Sequence, residues 1–155
     1  MKNTIALKLR SLHSTTTLEF YIPDYSTSLE LPFIDVGISA GFPSPADDFI
    51  ELSIDLNKQL IKNKDTTFFA KVKGHSMKNA GIFDGDLLII DKSLEPQNKK
   101  NGICQIDGEF TVKRIKIEKG VVWLIAENEE YAPIKVTPKN DFIIWGIVTS
   151  SIKSF

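Results

Sequence analysis

The chain has 155 residues, 42% hydrophobic and 25% charged, with 19 basic against 20 acidic side chains and a formal net charge of -1. That length and balance suit one ordinary globular domain with a real core. The charge supplies no basic field to draw the chain onto nucleic acid or a membrane, so any link to nucleic acid runs through a protein partner. A single cysteine, Cys104, excludes an internal disulfide and fits a reducing cytoplasm; with only His13 and His75 beside it, neither a structural zinc site nor a cysteine nucleophile is expected, and no cofactor.

Residues 1–45 read as an extended N-terminal arm. Met1–Arg10 is basic, but Lys8 and Arg10 break its apolar run, so it is no signal peptide. No stretch approaches the ~20 apolar residues of a membrane span. Leu18, Phe20 and Ile22 alternate with Glu19 and Tyr21, and Leu29, Leu31 and Phe33 repeat the alternation. These predict short strands, interrupted by Pro23, Pro32, Pro43 and Pro45 and by Gly37 and Gly41. Lys2, Lys8 and Arg10 stand against Glu19, Asp24, Glu30 and Asp35 with no helical repeat, which leaves no helical DNA-binding domain there. Ala40 and Gly41 are small, and Pro43 and Pro45 disfavour helix before them, so the Ala40–Gly41 bond suits extended presentation to a nucleophile. A plain proline-rich linker is an equal reading of those residues.

Residues 46–155 read as the body. Asp55 caps a short helix with the apolar stripe Leu56, Leu60 and Ile61, ending near Asn63. From Thr66 the pattern is mostly β. Phe68, Ala70 and Val72 alternate with Phe69, Lys71 and Lys73 on a strand that runs into Gly74. Asp84-Gly85-Asp86 signals a turn, with a carboxylate pair for metal or acid–base work as the alternative. The apolar run Leu87–Ile90 then suits a strand buried on both faces. Lys92–Gly102 is a polar loop, Ile103–Ile106 an apolar run in which Cys104 is a small core residue, and Asp107-Gly108 a tight hairpin. Glu118-Lys119-Gly120 makes the next turn, into Val121–Ile125, and Phe142–Val148 is the last strand. Trp123 and Trp145 fit core or dimer contacts better than a ligand cage. The expected fold is mostly β, a compact twisted antiparallel sheet with one or two short helices.

Two side chains in this pattern carry chemistry. Ser76, in Gly74-His75-Ser76-Met77, follows a strand that ends in a glycine turn, which holds the serine rigidly and leaves its hydroxyl free. A serine needs a group to take its proton. A lysine does so only when neutral, and its free pKa of about 10.4 requires desolvation or a neighbouring cation. On a strand Lys113 shares a face with Ile115 and Ile117, while Arg114, Lys116 and Glu118 point the other way. From spacing alone the plainer reading is favoured, Ser76 as a turn serine and Lys113 as a strand lysine whose ammonium snorkels to water. His75 is no base for Ser76, since chain neighbours point apart. The backbone N–H groups of His75 and Ser76 could form an oxyanion hole.

Gly-x-Ser-Met at a strand end, then Gly81-Ile82-Phe83-Asp84-Gly85-Asp86-Leu87-Leu88-Ile89-Ile90-Asp91, then Asp107-Gly108-Glu109-Phe110-Thr111-Val112-Lys113 resembles the LexA/UmuD family of self-cleaving Ser/Lys peptidases. The resemblance runs from about Gly41 to the C-terminus and takes in Gly41-Phe42-Pro43-Ser44-Pro45-Ala46 and Ile54-Asp55-Leu56-Asn57. It implies Ser76 as nucleophile, Lys113 as general base and Ala40–Gly41 as the bond cut. Two departures stand out: alanine replaces a cysteine found before the glycine in some members, and the arm is longer. The resemblance further implies cleavage stimulated by the RecA filament in the SOS response, a homodimer, and a cleaved product that serves a UmuC-type Y-family translesion polymerase, with the sliding clamp as a further partner. It implies a cytoplasmic protein with no direct nucleic-acid or membrane contact. Two other readings are a non-catalytic polymerase-binding module and a truncated LexA-type transcriptional regulator.

Overall fold

A computed structural model describes residues 10–14, 18–26, 30–34 and 50–155 of the chain. In chain order its elements are β1 (Arg10–Ser14), β2 (Leu18–Ile22), β3 (Glu30–Ile34), β4 (Ile50–Asp55), α1 (Leu56–Leu60), β5 (Thr67–Val72), β6 (Leu87–Asp91), β7 (Asn101–Ile106), β8 (Glu109–Glu118), β9 (Val121–Ile125), β10 (Ile134–Lys135) and β11 (Phe142–Ile152). They fall into two compact units, one of the residues up to Asp24 with Asn63–Phe155, the other Tyr25–Lys62.

The smaller unit holds the antiparallel pair β3–β4 and the single turn α1. Asp55 caps α1 as its sequence predicts, with Oδ1 accepting the Asn57 and Lys58 N–H groups. The helix stops earlier than Asn63, at Ile61, whose N–H closes on the Asn57 carbonyl. Asn63 is drawn off instead: its side chain donates to Asp91 Oδ2 at 2.8 Å and to Ser93 Oγ at 3.2 Å.

The larger unit is one antiparallel sheet of nine strands in the order β1-β2-β5-β6-β11-β7-β8-β9-β10. The fold is therefore mostly β, as the alternation of residues predicts. Local signals place most strands. Leu88, Ile89, Ile90 and Asp91 are all buried, so β6 is covered on both faces. Asp107 and Gly108 take φ values of 50° and 86° in the β7–β8 hairpin, and Lys119 and Gly120 take 51° and 74° in the next, the left-handed pairs that two-residue hairpins require. Phe69, which shares its parity with Lys71 and Lys73, is also buried, while Lys71 beside it on that face is exposed.

Residues 18–22 lie in this sheet. β2 pairs with β5, and Leu18 and Phe20 join Ala70, Val72, Met77, Leu88, Ile90, Ile103 and Val112 in one buried cluster. Phe110 and Trp145 pack on it, with ring centroids 5.0 and 4.9 Å from Phe20. A second cluster on the other face of the sheet's far half holds Cys104, Ile115, Leu124 and Ile147. The first cluster joins strands that are remote in the sheet order, so the sheet is strongly curled. Two irregularities in β11, at Ile144/Gly146 and at Val148/Ser150, fall on its ladders with β7 and β6, and bulges of this kind increase local twist. Gly146 is needed there for room: a Cβ would stand 2.5 Å from Ile90 Cγ2. Among the described residues no helix is long and apolar enough to cross a membrane.

Candidate active site

β5 delivers the chain into Gly74, whose φ of +96° is a conformation that glycine adopts without strain. The turn that follows is bonded from several directions. The Gly74 N–H donates to Asp84 Oδ1 at 2.7 Å. Val72 exchanges backbone bonds with the next loop, its N–H to Asp86 O at 2.9 Å and its carbonyl accepting from Gly85 N–H at 2.8 Å. Met77, 1% exposed, plugs the turn into the core, and its carbonyl accepts from Ala80 and Ile82. Ser76 is thus held on a short, fixed segment with its hydroxyl half-buried.

The Ser76 hydroxyl meets Lys113. Nζ lies 3.1 Å from Ser76 Oγ, 2.8 Å from Thr111 Oγ1 and 3.1 Å from the Val112 carbonyl. On a flat sheet β5 and β8 would stand four strand spacings apart, about 19 Å at ~4.8 Å each; the curl of the sheet removes that distance. Lys113 is 7% exposed, and among the described residues no carboxylate is bonded to it. Burial lowers its pKa from the ordinary lysine value, opposed by the charge that Cys104 would carry as a thiolate. The Cys104 thiol is itself pushed up to about 12 by burial, so at neutral pH it is uncharged and desolvation governs Lys113.

All three partners can accept from an ammonium, and they fit a neutral amine as well. Such a group has two N–H donors and one lone pair. The Val112 carbonyl can only accept, and the Thr111 hydroxyl can accept the second proton. The lone pair is then left for the Ser76 O–H, which is the geometry of proton abstraction from a serine.

Both groups open onto a cleft of about 430 Å³. Val72, His75, Ile106, Phe110, Tyr131 and Ile134 are among the residues that line it, so its walls are largely apolar. His75 is exposed, with its carbonyl accepting from Asn128 Nδ2 at 2.9 Å. The backbone N–H groups of His75 and Ser76 make no hydrogen bond among the described residues. Ala40 and Gly41 lie outside the described residues.

The Peptidase S24-like family model matches residues 32–149. The chain belongs to the Peptidase S24-like family. Its curated relatives include the protein ImpA of Salmonella typhimurium, 37% identical over 131 residues that cover 84% of this chain and 88% of ImpA. The protein MucA of Escherichia coli is 35% identical over 123 residues, 79% of this chain and 84% of MucA. The LexA repressor of Ectopseudomonas mendocina is 40% identical over 117 residues, 75% of this chain but 57% of the repressor. Together these place the chain in the LexA/UmuD group that the Gly-x-Ser-Met and Phe-Thr-Val-Lys motifs resemble, and make it a protein of serine peptidase type.

Within this S24-like site, two side chains escape a reading of the sequence. Thr111 shares the parity of Lys113, a signal that was there to be used. Asn128 follows β9 and reaches His75, which no local pattern announces. Asp84 and Asp86, whose alternative reading was metal or acid–base work, are committed elsewhere: Asp84 to the Gly74 N–H, Asp86 to the Phe83 N–H and to Lys153 Nζ. Among the described residues no three His, Cys, Asp or Glu side chains gather as metal ligands.

Proposed function

We propose that the chain is a self-cleaving serine peptidase of the SOS response, in which Lys113 accepts the Ser76 proton and Ser76 attacks the carbonyl of Ala40 in the Ala40–Gly41 bond. The observation that carries this reading is the 3.1 Å approach of Lys113 Nζ to Ser76 Oγ in a buried setting with no counter-ion among the described residues. In the first step the Ser76 Oγ–carbonyl bond forms as the proton passes to Lys113; collapse breaks the Ala40–Gly41 bond, and the proton leaves on the new Gly41 amine. Water then hydrolyses the Ala40 ester and restores Ser76. The His75 and Ser76 N–H groups serve the oxyanion in both steps. On this reading residues 1–45 carry the bond, with β1 and β2 of that stretch paired into the larger unit's sheet, and residues 46–155 carry the serine and lysine that cut it.

The likeness to ImpA and MucA along most of their length supports the rest of the proposal. Cleavage is stimulated by the RecA filament. The product from Gly41 onward is a cytoplasmic homodimer that serves a UmuC-type translesion polymerase and contacts the sliding clamp. No cofactor takes part.

Incubation of the purified chain at about pH 10, near the lysine reference value, tests the chemistry. Intact mass spectrometry is expected to find a product beginning at Gly41, absent from Ser76→Ala and Lys113→Ala. A chain that stays whole there and with activated RecA filament sinks the peptidase and leaves a binding module.

A further inference from the structure

We propose that Asn128 is a positioning residue that aims the Ser76 amide at the oxyanion, an inference that rests on the peptidase reading above. Asn128 is 3% exposed. Its Nδ2 donates to the His75 carbonyl at 2.9 Å, and its Oδ1 accepts the Glu130 N–H at 3.1 Å. The His75 carbonyl takes a second, longer bond from the Lys78 N–H at 3.3 Å. The His75 C=O and the Ser76 N–H belong to one planar trans peptide, so they point in opposite directions. A carbonyl clamped on Asn128 therefore fixes the direction of the Ser76 N–H, away from Asn128, where that donor has no acceptor among the described residues.

The clamp is itself anchored to both halves of the site. Glu127, the residue before Asn128, accepts the Asn79 N–H on its carbonyl at 2.9 Å and pairs through its carboxylate with Arg114 Nε. Asn79 lies in the 3-10 turn just after Ser76, and Arg114 follows Lys113 on β8. One short segment thus ties the turn of the serine to the strand of the lysine, and Asn128 is its contact with the peptide that must not rotate. Rotation would turn a donor that stabilises the oxyanion into a carbonyl that opposes it.

The test is the rate of Ser76-dependent self-cleavage of the full chain against pH, for the parent, Asn128→Ala and Asn128→Asp. Loss of one oxyanion donor costs about 10²–10³-fold, and a misaimed one is expected to cost about 10- to 100-fold. Asn128→Ala should lower the plateau by that factor and leave the midpoint unmoved, because the partners of Lys113 are untouched. Asn128→Asp keeps an acceptor for the Glu130 N–H but puts an oxygen against the His75 carbonyl, so it should be at least as slow. A residue that merely held its loop would predict the reverse, Asn128→Asp at the parent rate, and that result overturns the proposal. So does an Asn128→Ala chain with its plateau intact.

A measurement that needs no Asn128 variant stands beside these. In isotope-labelled Ser76→Ala chain, a through-hydrogen-bond coupling is expected between Asn128 Nδ2 and the His75 carbonyl carbon; its absence overturns the proposal even where both variants fail to fold. A parent with no Ser76-dependent cleavage at any pH overturns the peptidase reading and this inference with it. A cleaving parent with unaffected Asn128 variants overturns this inference alone.

Discussion

Lys113 and Lys153 carry the same side-chain chemistry into two different surroundings. Lys153, near the C-terminus, places Nζ 2.9 and 2.7 Å from the two oxygens of buried Asp86 and 4.3 Å over the Phe83 ring. Lys113 is more deeply covered and, among the described residues, its Nζ bonds to a serine hydroxyl, a threonine hydroxyl and a carbonyl. Where the fold supplies a carboxylate, the ammonium is compensated and the pair holds a loop. Where it supplies neutral oxygens, burial penalises the charged form and lowers the pKa, which is what the proposed role of Lys113 as a base requires. The difference between the two lysines lies in their partners: Asp86 and Ser76 come from other elements, while Thr111 and Val112 lie on β8 beside Lys113 itself.

Deleting the Lys113 amine breaks the comparison most severely. Lys113→Met is expected to slow self-cleavage by about 10²–10⁴-fold, the usual share of a general base, as read by gel or mass assay. The same variant should be more stable than the parent at neutral pH. Because the folded-state pKa of Lys113 is depressed, the unfolded chain binds more protons between that pKa and the ordinary 10.5. Parent stability therefore rises with pH through that window, and the advantage of Lys113→Met should shrink to nothing above it, as measured by urea titration at several pH values.

Giving Lys113 a carboxylate sharpens the contrast by making it resemble Lys153. Thr111→Asp replaces the hydroxyl 2.8 Å from Nζ with an anion. An adjacent opposite charge shifts a pKa by about 1–3 units, so cleavage at neutral pH should fall by about 10- to 1,000-fold and recover as pH rises. An unmoved pH–rate midpoint would refute the desolvation account of this site.

The converse deletion, Lys153→Met, leaves the Asp86 carboxylate buried with the Phe83 N–H as its remaining side-chain partner. Destabilisation of about 2 kcal/mol is expected in urea, less than for a fully buried pair because the Lys153 side chain is 34% exposed. Asp91 offers a third case, an anion held by neutral donors. Burial raises its pKa, but bonds from Ser93, Asn63 and Thr66 outweigh that and lower it from 3.8 to about 2. It should contribute about 2 kcal/mol of stability above pH 3.8, lost as pH falls toward 2, and Asp91→Asn should flatten that part of an acid-unfolding curve.

Much of this was legible in the chain itself because it is local. Alternation over two or three residue pairs marks β2, β3 and β5, and Asp107-Gly108 dictates a hairpin through backbone conformations that few other residues accept. A glycine turn holding Ser76 and a strand parity that puts Lys113 beside Ile115 are equally short-range. The two-residue β10, and β1 and β4, carry no comparable signal.

What lies beyond the sequence depends on strand order and curvature. No spacing along the chain announces that β11 inserts between β6 and β7, or that the curled sheet brings β8 to the end of β5. Only that arrangement decides that Lys113 faces Ser76 across 3.1 Å, that Asn128 reaches the His75 carbonyl and that Lys153 reaches Asp86. The amino-acid sequence by itself determined the strands, the turns and the kinds of reactive group. The tertiary structure decided their partners, because desolvation and charge compensation at a buried amine are set by side chains that the chain brings together from dozens of residues away.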